Sequence, residues 1–244
     1  MNSNYIDIED ISFSYNGREE VLKALSLRIG EGESVGIAGA NGAGKSTLLK
    51  LLCGLELPSA GRICIGGLQL EKKTLPEIRK KAGYVFQDSD SQLFMGTVEE
   101  DIAFGPRNYA LPEDEVEKRV AYALEKTEIE HLRKKSTRKL SGGEKKLASI
   151  ASVLSMQPDI LLMDEPSASL DPKNRRMLIG LLNELDQIKL IASHDLDFLW
   201  DCCERIVLIS EGRIVADGSA EEILRDEKLL IDSGLELPLS LAGR

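Results

Sequence analysis

The residues best suited to chemistry lie in the stretch GANGAGKST, which runs from Gly39 to Thr47. It matches the pattern G-x-x-x-x-G-K-[ST], between an apolar run typical of a strand and a leucine-rich run typical of a helix. Glycines let backbone N–H groups close around phosphate oxygens, and the start of a helix adds its dipole. We predict a phosphate cradle in which Lys45 reaches the β- and γ-phosphates of a nucleotide and Ser46 binds Mg²⁺. The candidate nucleotide-binding residues of the cradle are Gly39, Ala40, Asn41, Gly42, Ala43, Gly44, Lys45, Ser46 and Thr47.

Two adjacent carboxylates follow in ILLMDEP, from Ile160 to Pro166. The apolar residues predict a buried strand, and Asp164 at its end is placed to hold Mg²⁺ and its water shell. Glu165 beside it is placed to accept a proton from an attacking water. Because successive side chains of a strand point to opposite faces, we expect the two carboxylates to do different work.

The stretch LSGGE, from Leu140 to Glu144, predicts a second anion site. Ser141 and Glu144 fit a capping box, which leaves the N–H groups of Gly142 and Gly143 accessible at the start of a helix. This site, called the signature below, is far from the cradle along the chain.

The predicted secondary structure that positions these residues differs between three parts of the chain. Alternating apolar residues near the start predict strands. A helical pattern begins at Thr97, which forms a capping box with Glu100. Helices and strands alternate after Lys139, which favours a largely parallel α/β sheet. We expect one domain over 1–244, with its parts as follows: a core at about 1–87 and 158–226, an inserted helical subdomain at about 88–157, and a tail at 227–244.

Composition narrows the class of protein. The chain has 244 residues, of which 42% are hydrophobic, so it can bury a full core. Its formal net charge of −10 argues against nucleic acid as a partner, because phosphate backbones require a basic face. Neither a signal peptide nor a run of about 18 apolar residues is evident, so no direct membrane insertion is expected. The adjacent pair Cys202 and Cys203 is interpreted as buried thiols of a reduced cytosolic protein.

With these motifs in this order, the chain resembles the ATP-binding cassette (ABC) ATPases over nearly its whole length. The resemblance implies an α/β fold with a P-loop NTPase core, a mostly parallel sheet, an N-terminal antiparallel β subdomain and an inserted α-helical subdomain. It implies that Tyr15 stacks on adenine, that Gln87 senses Mg²⁺ and water and links to the transport partner, and that His194 contacts the γ-phosphate. The loop SASLD, from Ser167 to Asp171, is then expected to cross a dimer interface.

The same resemblance implies a head-to-tail dimer, in which the cradle of one subunit and the signature of the other enclose each ATP. One cradle and one signature per chain then require a second copy or a close paralogue. The ligands expected are ATP and Mg²⁺. The candidate catalytic residues are Glu165, His194, Lys45 and Gln87; the candidate Mg²⁺ ligands are Ser46, Gln87 and Asp164; the signature residues acting in trans are Ser141, Gly142, Gly143 and Glu144.

Two signature positions depart from the family pattern. Glu144 stands where glutamine is commoner, and Leu147 stands where many relatives carry arginine. Neither change removes the donors of the signature, so phosphate binding is expected to survive.

The stretch SQLFMGTVEEDIAFGPRNYAL is similar to the energy-coupling-factor importers, the branch that carries cobalt, nickel and vitamins. LSGGEKK, IASHDLDF and ADGSAEEIL resemble its cobalt- and nickel-type members. We therefore expect an ATPase subunit that lies peripherally on the cytoplasmic face of the cell membrane, docked on transmembrane coupling and substrate-binding subunits. A vitamin or another micronutrient is an alternative cargo.

A different class is an ATP-gated interaction module of the same superfamily that acts in DNA repair or translation. The repair version requires a long heptad insert, and none lies between Gln87 and Ser141. The translation version normally carries two cassettes, and this chain has one. The acidic balance disfavours both.

Overall fold

Two β-sheets carry the fold in the computed structural model of the chain, which describes residues 4–17, 19–168 and 170–242. The strands are β1 (Ile6–Phe13), β2 (Leu22–Ile29), β3 (Ser34–Ala38), β4 (Ala60–Ile65), β5 (Leu68–Gln69), β6 (Ala82–Val85), β7 (Ile160–Asp164), β8 (Ile188–Ser193), β9 (Arg205–Ser210) and β10 (Arg213–Ser219). The helices are α1 (Lys45–Leu52), α2 (Leu75–Lys81), α3 (Val98–Asn108), α4 (Glu113–Lys126), α5 (Gly142–Leu154), α6 (Pro172–Glu184), α7 (Leu196–Cys202), α8 (Ala220–Arg225) and α9 (Glu227–Asp232).

The N-terminal sheet is antiparallel and has the order β2-β1-β4-β5. Ile6, Ile8 and Ile11 of β1 are buried between more exposed neighbours, and the register shifts between Ile8 and Ile11. An alternating pattern of this kind suits a sheet with one face on the core. The predicted antiparallel β subdomain is confirmed.

The central sheet has the order β10-β9-β3-β8-β7-β6. All its pairings are parallel except that of the edge strand β10 with β9. Every residue of β7 and β8 is buried, as expected for parallel strands covered on both faces. The predicted mostly parallel core is therefore confirmed.

The helices α3, α4 and α5 lie between β6 and β7 along the chain. The capping box of Thr97 and Glu100 begins α3, as predicted. Strand β6 ends at Val85. The N–H of Phe86 donates to the Oε1 atom of Gln92 instead of extending the sheet.

Both residues of the cysteine pair are buried, as interpreted from the sequence, at the carboxyl end of α7. Burial raises the pKa of the Cys203 thiol to about 12, so it stays protonated. Across the ranges described, no helix combines the length and apolar character needed to cross a membrane.

The tail contains α9 and then returns to helix α7. The N–H groups of Leu239 and Ser240 each donate to the carboxylate of Asp197 at 2.9 Å, which ties the tail to α7.

Candidate active site

The candidate residues meet at the carboxyl edge of the central sheet. The cradle follows β3, Glu165 follows β7, and His194 follows β8. Ala38 of β3 pairs with Ser193, and Asp164 pairs with Ala192, so these strands end side by side. In an open parallel sheet, ligands bind outside the carboxyl ends of the strands.

At Gly39 and Gly44 the backbone of the cradle requires glycine. A Cβ atom on Gly39 would lie 2.3 Å from the carbonyl oxygen of Ile209. Gly44 caps α1 with φ 108°, in the region that glycine tolerates best. In the middle, a side chain at Gly42 would meet nothing within 4 Å, so this part of the cradle is open to a ligand.

Lys45 is buried within the cradle. Its Nζ atom donates to the carbonyls of Gly39 at 2.7 Å and Ala40 at 3.2 Å, and it lies 4.0 Å from the Oε1 atom of Glu165. Burial lowers the pKa of Lys45, while Glu165 and Asp164 oppose that shift. The ammonium group is therefore held by carbonyls that a phosphate can replace.

Ser46 and Asp164 meet although 118 residues separate them. The hydroxyl of Ser46 donates to Oδ1 of Asp164 at 2.8 Å. Tyr84 donates its hydroxyl to Oδ2 of the same carboxylate at 3.1 Å, and its pKa is raised by burial and by Asp164. Such oxygen ligands match the preference of Mg²⁺.

Glu165 is only 6% exposed, and three groups hold its carboxylate. The hydroxyl of Ser193 donates to Oε2 at 2.9 Å, the backbone N–H of His194 donates to Oε1 at 3.1 Å, and the Nδ1 atom of His194 lies 2.9 Å from Oε1. A carboxylate fixed in this way keeps one position, as a general base requires.

The prediction that strand alternation separates Asp164 from Glu165 is wrong. β7 ends at Asp164, and Glu165 has φ 46°, in the left-handed region. Strand alternation therefore does not set the direction of Glu165. The turn after the strand does so, together with the backbone bond from Glu165 N–H to the carbonyl of Ala192.

Gln87 follows the end of β6, the strand next to β7. Val85 pairs with Met163, and Gln87 follows Val85 by two residues, as Glu165 follows Met163. The side chain of Gln87 is exposed, and its carbonyl accepts a bond from Nζ of Lys146 at 2.8 Å.

Tyr15 lies against the first helix of the cradle. Its hydroxyl is 3.2 Å from Oγ1 of Thr47, and half of the residue is exposed. Its ring packs edge-on against Phe13. A ring face next to the cradle suits stacking on a base.

The signature opens α5 as a capping box. The Oγ atom of Ser141 accepts the N–H of Glu144 at 3.3 Å, and Glu144 accepts the N–H of Ser141 at 2.7 Å. A side chain at Gly142 would meet nothing within 4 Å. Within the described part of the chain, no hydrogen bond joins the signature to the cradle.

The two departures from the family pattern have different surroundings. Glu144 forms an ion pair with Lys135 at 2.8 Å, and that bond holds the pKa of Glu144 below its usual range. Leu147 is 3% exposed within the hydrophobic core. Neither residue obstructs the open N–H groups of the signature.

The loop from Ser167 to Asp171 reaches α6, where the side chain of Asp171 accepts the N–H groups of Lys173 and Asn174. Ser167 donates to Asp195 at 3.4 Å. Ser169, which the expectation for this loop includes, lies outside the described residues.

Sequence reasoning missed Tyr84, Ser193 and Lys146. Tyr84 contacts Asp164, Ser193 contacts Glu165, and Lys146 contacts the carbonyls of Phe86 and Gln87. For Tyr84 and Ser193, the sequence offered only their location in predicted strands close to candidate residues along the chain. Lys146 is a lysine on the otherwise apolar face of a helix.

Known proteins are similar to this chain over most of its length. A family model described as ABC transporter matches residues 22–168. The energy-coupling factor transporter ATP-binding protein EcfA of Methanothermobacter thermautotrophicus is 42% identical over 238 residues, which cover 96% of this chain and 76% of that protein.

Two solved structures share the fold. The structure of cbiO1 from Clostridium perfringens, described as part of the ABC transporter complex cbiONQ, gives a TM-score of 0.85 at 38% identity and covers 98% of this chain and 97% of that one. A dimeric post-hydrolysis state of the ATP-binding cassette MJ0796, bound to ADP and Pi, gives a TM-score of 0.79 at 27% identity and covers 88% of this chain and 98% of that one.

Proposed function

This chain belongs to the ABC transporter family as the ATPase subunit of an energy-coupling-factor type transporter, and we propose that it powers the import of cobalt or nickel ions as half of a head-to-tail dimer. The residue roles, the dimer and the cargo are the parts proposed. The cargo rests on the resemblance of LSGGEKK, IASHDLDF and ADGSAEEIL to the cobalt- and nickel-type members.

The cradle and the cluster at Asp164 fit a magnesium nucleotide. The cradle is open at Gly42, and the oxygens of Ser46 and Asp164 lie 2.8 Å apart at its base. We assign Ser46, Asp164 and Gln87 to hold Mg²⁺, which would neutralise charge on the phosphates. Tyr15, beside Thr47, supplies a ring for the base.

Glu165 is the residue on which the catalytic proposal depends. Its carboxylate is fixed by Ser193 and His194 and lies 4.0 Å from Nζ of Lys45. A fixed carboxylate accepts a proton from water, and the neighbouring ammonium group of Lys45 stabilises charge on the γ-phosphate. His194 is exposed on its other side, where it can contact the same phosphate.

The signature supports the dimer. The space beside Gly142 is open, and in the described residues the signature has no bond to the cradle of the same chain. We therefore assign the N–H groups of the signature to the nucleotide of a partner subunit. The MJ0796 cassette was solved as a dimer bound to ADP and Pi. The partner is a second copy or a close paralogue.

The helical region between β6 and β7 has an exposed surface that suits docking on transmembrane subunits. Phe94 is 64% exposed and Phe104 is 42% exposed, and their rings pack edge-on at 4.8 Å. An exposed aromatic pair of this kind suits a protein interface. We propose a peripheral position on the cytoplasmic face of the membrane, without nucleic acid as a partner.

Transport by the complex in liposomes tests the proposal. The chain is purified with the subunits that accompany it in mild detergent, and uptake of Co²⁺, Ni²⁺ and vitamins is measured with ATP inside or outside. ATP-dependent metal uptake supports the proposal. Vitamin uptake without metal uptake would leave an energy-coupling-factor ATPase with a different cargo.

A further inference from the structure

The segment from Phe86 to Gln92, called the Gln87 turn, is fastened to helix α5 by side-chain bonds. It begins directly after β6, and α5 begins with the signature. Leu140, the first residue of the signature, follows Gln92 by 48 positions in the sequence, so tertiary contacts alone join the turn and the signature.

Lys146 makes the central bonds of this junction. Its Nζ atom donates to the carbonyl of Phe86 at 2.9 Å and to the carbonyl of Gln87 at 2.8 Å. The residue is 3% exposed, and no carboxylate lies within 4.0 Å of its ammonium group in the ranges described. Lysine is rarely buried without a charged partner, because losing its hydration is costly.

Gln92 binds the backbone N–H of the same residue, Phe86. Its Oε1 atom accepts the N–H of Phe86 at 3.0 Å, and its Nε2 atom donates to the carbonyl of Ser149 at 2.7 Å and to Oγ of Ser152 at 3.1 Å. The N–H and C=O groups of Phe86 are thus both bonded, through Gln92 and Lys146, to α5. The turn cannot shift without moving the helix or breaking these bonds.

Lys146 is five residues from Ser141 on one helix, a rise of about 7.5 Å at 1.5 Å per residue. A helix of 13 residues moves as one body over that distance. A displacement of the Gln87 backbone that passes through Lys146 would therefore also move Gly142 at the start of α5.

We infer that Lys146 is a positioning residue that couples a magnesium nucleotide bound beside Gln87 to the orientation of the signature of the same chain. The inference rests on the proposed role of Gln87 at the nucleotide. Nucleotide binding in one site would thereby set how the chain presents its signature to the partner subunit.

Hydrogen exchange measured by mass spectrometry tests this coupling in the full chain, without a need for the partner. The wild type is compared with Lys146→Met, which keeps the length of the side chain and removes its donors. Lys145→Met is the matched control, because Lys145 has no bond to Phe86 or Gln87. Among the residues described, its only ion pair is with the exposed carboxylate of Asp90, farther along the same turn, and an exposed pair of this kind contributes little. Each protein is measured with and without Mg²⁺ and a non-hydrolysable ATP analogue.

We expect the nucleotide to slow exchange in the cradle, residues 39–47, in all three proteins. In the wild type and in Lys145→Met it should also slow exchange at 139–144 by about tenfold, within the usual range of coupling between sites. In Lys146→Met the response at 139–144 should be lost. This segment contains neither substituted lysine.

A response at 139–144 in Lys146→Met equal to that of the control would overturn the inference, as would its absence from a wild type whose cradle is protected. A wild type without protection of the cradle would overturn the proposed function as well. Thermal unfolding checks that the variant is folded. If Lys146→Met is not folded, Lys146→Arg and Lys146→Gln replace it, with the response expected to persist in the former and to fall in the latter.

Discussion

His194 and Glu165 are in direct contact, with Nδ1 of the imidazole 2.9 Å from Oε1 of the carboxylate. The backbone N–H of His194 also donates to Oε1, at 3.1 Å. Because Nδ1 faces the carboxylate, Nε2 is the ring nitrogen left for a ligand. The pair therefore joins the candidate base to the residue expected at the γ-phosphate.

Replacing Glu165 with glutamine should lower the rate of ATP hydrolysis by about 10²–10⁴-fold, because the amide cannot act as a base. Nucleotide binding should persist, since Lys45 and Ser46 are unchanged. The variant should then accumulate as an ATP-bound closed dimer, seen by gel filtration with Mg²⁺-ATP. Hydrolysis at the wild-type rate would exclude Glu165 as the base. Slow hydrolysis without a dimer calls for the same run with a paralogue.

Replacing Lys45 with alanine should abolish ATPase activity, by about 10²-fold or more, because the γ-phosphate loses its main cation. Steady-state phosphate release from purified protein is the measurement. Lys50→Ala, on the same helix, is the control and should remain active. Near-normal turnover of Lys45→Ala would show that the cradle does not bind phosphate in the proposed way.

Replacing Ser141 with arginine should leave ATP binding to the monomer nearly unchanged and block ATP-driven dimerisation, because the signature acts on the nucleotide of the partner. Binding is measured by titration of the monomer, and dimerisation by sedimentation in the Glu165→Gln background. Ser59→Arg places the same bulk and charge at another exposed serine. An equal loss of monomer affinity would place the signature in the site of its own chain.

Replacing Tyr84 with phenylalanine should raise the Mg²⁺ concentration needed for half-maximal ATPase activity by about tenfold, because the hydroxyl that orients Asp164 is lost. The metal titration is done at saturating ATP. Tyr109→Phe, which changes a tyrosine that is 39% exposed, should leave the midpoint unchanged. Equal midpoints in the two variants would mean that Tyr84 has no part in the metal site.

Replacing Leu147 with the arginine common in the family should lower the free energy of unfolding by about 3 kcal/mol, because it buries a charge without a partner in the core. Urea denaturation measures the change. Leu147→Met keeps the volume and should cost less than about 1.5 kcal/mol. An arginine variant as stable as the methionine variant would show that this core can hold the family residue.

Local patterns in the sequence determined the elements that carry the site. The spacing of glycines and of Lys45 and Ser46 predicted the cradle, since its shape follows from backbone conformations within nine residues. The capping boxes at Thr97 and at Ser141 were equally local, because each side chain bonds to a backbone group three residues away. Helices alternating with buried strands predicted the parallel sheet, which is confirmed.

Tertiary structure alone decided which groups surround the candidate residues. Ser193 contacts Glu165 and Tyr84 contacts Asp164 because β8 and β6 lie on either side of β7, an order that no periodicity in the sequence specifies. The direction of Glu165 depends on a turn with φ 46°, for which strand alternation gives the wrong reason. The sequence alone does not distinguish Lys146 from other charged residues of a helix. The packing of α5 against the end of β6 buries its ammonium group, which donates to two backbone carbonyls there.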